Sequence, residues 1–100
     1  MLLHDESRRE LQFENDRVKV WKTTIPPNDK LKMHRHDHSR VIVSLQGGKL
    51  LKIEETGEKT DLIFESGKAY WFDKDLDGLL HGDVNISANP VEVMVIEFKA

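Results

Sequence analysis

No stretch of this chain carries a sustained 3.6-residue apolar repeat, while short runs rich in Val, Ile, Thr and aromatic residues recur between turn formers. A chain patterned in this way builds strands rather than helices. The runs are Arg17 to Thr24, Lys30 to His34, Arg40 to Leu45, Lys49 to Glu54, Thr60 to Phe64, Ala69 to Phe72, Asp83 to Ala88 and Val91 to Phe98, with a further short strand at Leu11 to Glu14. Between them lie Pro26-Pro27-Asn28-Asp29, Gly47-Gly48, Thr56-Gly57, Ser66-Gly67, the acidic Asp73 to Gly78 loop and Asn89-Pro90. All are turn formers. Gly47-Gly48 and Thr56-Gly57 read as hairpin turns, where residues at positive φ match the twist of the flanking strands. The expected fold is all-β, a sandwich or barrel of about eight strands.

One hundred residues hold one hydrophobic core and leave no room for a second domain beside it. Residues 11–100 are read as that domain and residues 1–10 as a tail, or an arm that pairs with a neighbouring subunit. The net charge of −3 and the lack of any Lys/Arg-rich run argue against nucleic acid as a partner. With no cysteine, any metal must be held by nitrogen and oxygen. The first ten residues turn charged after two leucines, which is neither the apolar core of a signal peptide nor a membrane span. The expectations are a cytoplasmic location and no membrane partner.

His34, His36 and His38 alternate with Arg35, Asp37 and Ser39. If this stretch is extended, the three imidazoles share one face with neighbours roughly 6.6 Å apart. Two such rings can converge on one metal ion about 2.0–2.1 Å from each nitrogen. Arg40 has the same parity. A solvent-exposed histidine turn explains the same three residues, and spacing alone does not choose between the two.

Asn28, His34-Arg35-His36, Arg40 and Gly47 resemble the first motif of the cupin superfamily, in which glycine, His-x-His, glutamate and glycine stand at such intervals. Gly67, Asp73, His81 and Asn85 resemble the second, with aspartate where a proline is usual and a longer loop before the histidine. The resemblance runs from Phe13 onward and implies a double-stranded β-helix barrel. It implies that His34, His36 and His81 match the family's histidine ligands, and that Arg40 stands where the family has a carboxylate. A guanidinium cannot ligate a metal. Either the three histidines still hold iron, nickel, manganese or zinc while Arg40 clamps a small anionic metabolite, or Arg40 displaces the ion and the pocket binds an anion without metal. The first reading implies a metal-dependent dioxygenase or isomerase, and the second a binding or sensing module. Asn28 for glycine is a mild departure, because asparagine tolerates a left-handed backbone. His38 matches no family position and is read as a rim residue.

Asp73-Lys74-Asp75-Leu76-Asp77-Gly78 repeats the first half of a calcium loop, but position twelve falls on Val84 and the flanks read as strands. A solvated acidic loop is the alternative. Val18, Val20, Val41, Val43, Leu50, Ile53, Leu62, Phe64, Val93, Val95 and Phe98 are the expected core. Tyr70 and Trp71 could line a pocket or fill the core. Trp21 is placed at a subunit contact, since a barrel this small has sheet surface that a homodimer could cover. Ser39 beside His38 makes no nucleophile and base pair, because adjacent strand residues point to opposite faces.

Overall fold

The computed structural model describes residues 6–34, 36–74 and 80–99, and of residues 32–34 the backbone alone. Nine strands run in order: β1 Arg8–Glu14, β2 Val18–Ile25, β3 Lys30–His34, β4 Arg40–Gln46, β5 Gly48–Glu54, β6 Lys59–Phe64, β7 Ala69–Phe72, β8 His81–Asn85 and β9 Val91–Phe98. Every pairing is antiparallel. They form a five-stranded sheet, β1-β2-β9-β4-β7, facing a four-stranded sheet, β3-β8-β5-β6. The chain crosses between sheets after β2, β3, β4, β6, β7 and β8, and no ladder joins the two sheets among the described residues. This is the jelly-roll arrangement of an open double-stranded β-helix.

The turns sort themselves by chemistry. Asn15 closes β1 onto β2 with its Oδ1 accepting from the amides of Arg17 and Val18. Gly57 turns β5 into β6 at φ +93°, as a hairpin requires. Asn28 stands at φ +64°, the left-handed conformation that asparagine tolerates. Gly47-Gly48 differs from expectation: β4 and β5 lie in opposite sheets, so the pair makes a crossover and not a hairpin. Neither glycine has positive φ. They are small because the chain passes close by, a Cβ on Gly47 running into the Phe64 carbonyl and one on Gly48 lying 2.5 Å from Ser87 Oγ.

β8 begins at His81, two residues before the expected start, and stops at Asn85. Asn85 ends it by turning its side chain on the backbone. Its Oδ1 accepts from Ser87 N–H, and its Nδ2 donates to the Ile25 and Asn89 carbonyls. Residues Ile86 to Ala88 therefore leave the ladder. β1 also starts early, taking in Arg8 to Glu10 from the stretch read as a tail.

The core lies between the sheets and consists of Ile25, Ile42, Leu50, Phe64, Val91, Val93 and Val95. On β4 the inward residues are Arg40, Ile42 and Ser44, so Val41 and Val43 face outward, against expectation. Val18, Ile53 and Phe98, also expected inside, are only half buried. Alternation fixes which residues share a face but not which face is inner. Here the inner face carries polar side chains, and the apolar count of the outer face misleads. Trp21 is half-buried and packs against the core, with Arg9 4.5 Å and Lys19 4.8 Å from its ring centre.

Candidate functional site

The stretch from His34 to Arg40 is not one strand. β3 leaves the four-stranded sheet at His34 and β4 enters the five-stranded sheet at Arg40. His36 and Arg40 therefore reach the interior from a crossing and from the facing sheet, instead of along one strand face. Both line a cavity of about 90 Å³ between the sheets. His38 is exposed and has no place in that lining. The side chain of His34 lies outside the described residues, but its backbone pairs with His81 across β3 and β8.

His81 is 5% exposed and joins the same lining. Its ring centre is 5.4 Å from that of His36, with the planes tilted by 36°. Imidazoles that share one ion at about 2.0–2.1 Å from each nitrogen hold their ring centres roughly 5 to 6 Å apart. The described pair fits that requirement, and the register brings a third histidine to the strand position beside it. Among the described residues alone no group of three possible ligands forms.

Arg40 is 6% exposed. Its Nη1 donates to the Asp73 carbonyl at 3.3 Å, and its guanidinium lies 5.3 Å from the Phe72 ring centre. Asp73 itself accepts from the Trp71 indole N–H at 2.8 Å. Residues 75–79 of the calcium-like loop lie outside the described residues.

Three further charged side chains line the cavity: Arg9, Lys52 and Asp83. Arg9 Nη2 lies 3.3 Å from Glu97 Oε1 and Lys52 Nζ 3.7 Å from Glu54 Oε1. Asp83 is 8% exposed, with Oδ1 3.9 Å from His81 Nδ1. Sequence reasoning missed all three. Extending β8 back to His81 would have found Asp83, since His81, Asp83 and Asn85 then alternate onto one face. Arg9 was hidden by the assignment of residues 1–10 to a tail.

Polarity is graded along the cavity. On the four-stranded sheet, Glu54 pairs with His81 and Lys52 lies opposite Asp83, whereas Leu50 pairs with Leu62 farther along β5. The inward series on β5 shows the gradient in one strand: Glu54, Lys52, Leu50.

No family model matches the chain, and no curated protein does. Solved structures do. A cupin domain from Bordetella pertussis Tohama I superimposes with a TM-score of 0.83 at 27% identity, over 100% of both chains. The chain has the cupin fold. More distant cupins share the fold alone, among them a double-stranded β-helix protein from Methanocaldococcus jannaschii (TM-score 0.70, 13% identity, 92% of this chain and 79% of that one). A polyketide cyclase from Streptomyces resistomycificus does so too (TM-score 0.66, 18% identity, 95% and 66%). Relative to the cupin motif, the chain departs at Arg40, which puts a permanent cation in the cavity lining. No helix among its described residues is long and apolar enough to cross a membrane.

Proposed function

We propose that this protein binds a small organic anion in the cavity, next to a divalent metal ion held by His34, His36 and His81. The observation that carries the reading is the approach of the His36 and His81 rings to 5.4 Å, with buried Arg40 in the wall of the same cavity. Iron, nickel, manganese and zinc all suit imidazole nitrogen, and cellular supply selects among them. The ion would supply Lewis acidity to a substrate oxygen. Arg40 offers a charge that no accessible pH removes and a planar donor pair that matches a carboxylate. Phe72 beneath the guanidinium restricts it to the cavity side. Arg9 and Lys52 add positive charge, while Asp83 stands within ion-pair reach of His81 Nδ1 and favours the tautomer that protonates that nitrogen. The apolar end receives the body of the ligand. A cavity of about 90 Å³ is smaller than the roughly 150 Å³ that takes a benzene, so the ligand is a short or compact carboxylic acid. Oxygenation or isomerisation of such an acid is the reaction this arrangement serves.

Elemental analysis of untagged protein, purified without added metal, tests the metal. Near-stoichiometric metal that is lost in His34→Ala/His36→Ala supports the reading. Failure to take up iron(II), nickel, manganese or zinc on reconstitution overturns it.

A second reading has its own observation, the burial of a guanidinium where the family has a carboxylate ligand. In it the cavity is a metal-free anion pocket used for binding or sensing. Carboxylate binding that survives a chelator and disappears in Arg40→Glu supports this reading. Binding abolished by the chelator, together with stronger metal uptake in Arg40→Glu, supports the metal site.

A further inference from the structure

Arg40 shares the cavity wall with a second guanidinium. Arg9 reaches that wall from β1, at the edge of the five-stranded sheet, and its register partner Thr23 lines the cavity as well. Thr23 is 4% exposed, and its Oγ1 is buried with no hydrogen-bond partner among the described residues. Buried hydroxyls are ordinarily satisfied, by the protein or by what it binds. Arg9 is oriented but not used up. Its guanidinium lies 4.5 Å from the Trp21 ring centre, and Nη2 donates to Glu97 Oε1 at 3.3 Å. Stacking on the indole fixes the plane of the fork, and that one bond leaves most of its N–H groups without an acceptor among the described residues. Between Arg40 and Thr23, in the middle row of the same inner face, stand Val95 and Ile42, both in the lining. The wall thus runs from a cation over an apolar strip to a second cation with a hydroxyl beside it.

We infer that Arg9 and Thr23 form a second anion subsite and that the ligand is a short α,ω-dicarboxylic acid. One carboxylate lies at Arg40, the methylenes on Ile42 and Val95, and the other carboxylate at Arg9 and the Thr23 hydroxyl. The inference rests on the anion-binding reading above and names its ligand class. Charge supports it. Glu97 stands in register between Lys19 and Arg40 and also meets Arg9, so one carboxylate faces cations in excess. A ligand with a single carboxylate matches Arg40 and leaves Arg9 and Thr23 Oγ1 against methylenes, which accept no hydrogen bond. A second carboxylate accepts from the fork and from the hydroxyl at once. The cavity of about 90 Å³ restricts such a diacid to a few carbons.

The test is calorimetric titration of the full chain with succinate and glutarate, each against the monoacid of equal length, butanoate and pentanoate. One of the two diacids should bind about tenfold or more tightly than its monoacid, as hydrogen bonds to a charged group provide. The quantity read in the variants is that ratio of diacid to monoacid affinity. Arg9→Gln should bring it close to unity, and Thr23→Val should lower it by about threefold or more. Thr23→Val keeps the branched shape of the side chain, so it decides the matter even if Arg9→Gln disturbs β1; far-ultraviolet circular dichroism reports which variants are folded. Monoacids that bind through Arg40 with no gain from the second carboxylate overturn the inference and leave the anion pocket standing. So does a gain that either folded variant keeps, which is what chelation of a metal ion by both carboxylates would produce. Failure of every acid to bind overturns the anion pocket and the diacid with it.

Discussion

Asn85 shows how one side chain fixes the end of a strand. It is fully buried and makes three hydrogen bonds to backbone groups. Asn85→Ala leaves the Ile25 carbonyl, the Asn89 carbonyl and the Ser87 amide short of a partner, and should cost about 2–4 kcal/mol. At 100 residues that lowers the melting temperature by roughly 10 °C or more, which calorimetry reads directly. Its place four residues after His81 was visible in the sequence, where only the family pattern gave it a meaning. The histidines and Arg40 were legible in the same way. Asp83 was not, because a carboxylate at the start of a strand looks like surface until its parity with His81 is known. Lys52 was hidden by its neighbours, since a lysine between Leu51 and Ile53 reads as the solvated side of an amphipathic strand.

Strands were the most legible elements, because Val, Ile and Thr runs broken by turn formers leave little choice of structure. Their partners were less so. Gly47-Gly48 carries the local signature of a hairpin, yet the decision between hairpin and crossover rests on distant neighbours, Phe64, Ser66, Ser87 and Val91. Gly47→Ala should therefore destabilise by about 1–3 kcal/mol through backbone displacement. Gly57→Asn, in open space at φ +93°, should cost about 1 kcal/mol or less. Paired urea titrations of the two variants check the contrast.

Farther along the chain, β9 is tied to the β1–β2 hairpin by Lys99 Nζ, 2.7 Å from Glu14 Oε2. The hydrogen bond and then the charge of Lys99, with a smaller contribution from Lys19, hold the Glu14 carboxyl below its usual range. A carboxyl depressed in the folded state stabilises above its unfolded pKa, and that stabilisation fades as pH falls through the folded value. Lys99→Met should move the Glu14 midpoint up towards the ordinary glutamate range in a carboxyl-carbon NMR titration.

For the whole molecule, composition and spacing pointed to the right architecture and to the wrong interior. Valines on β4 suggested a core-facing strip, but the cavity claims the other face for Arg40 and Ile42. The same inversion leaves Val41, Val43 and Ile96 on the outer face of the five-stranded sheet. Carboxylate binding ties these scales together. Affinity should rise about three- to fourfold per added methylene while the chain lengthens into the Leu50 and Phe64 end, then stop once the space is filled. Calorimetric titration of a straight-chain series reads this, and a flat response would place the ligand outside the apolar end.

The two sheets are held face to face by side chains and six crossings, with no shared ladder among the described residues. Their spacing can therefore adjust as a bellows does, through repacking of Ile42, Leu50 and Val95, while every strand keeps its partners. The capacity of the site is thus governed by the softness of its lining more than by its backbone, and a wider guest needs only those three side chains to give way.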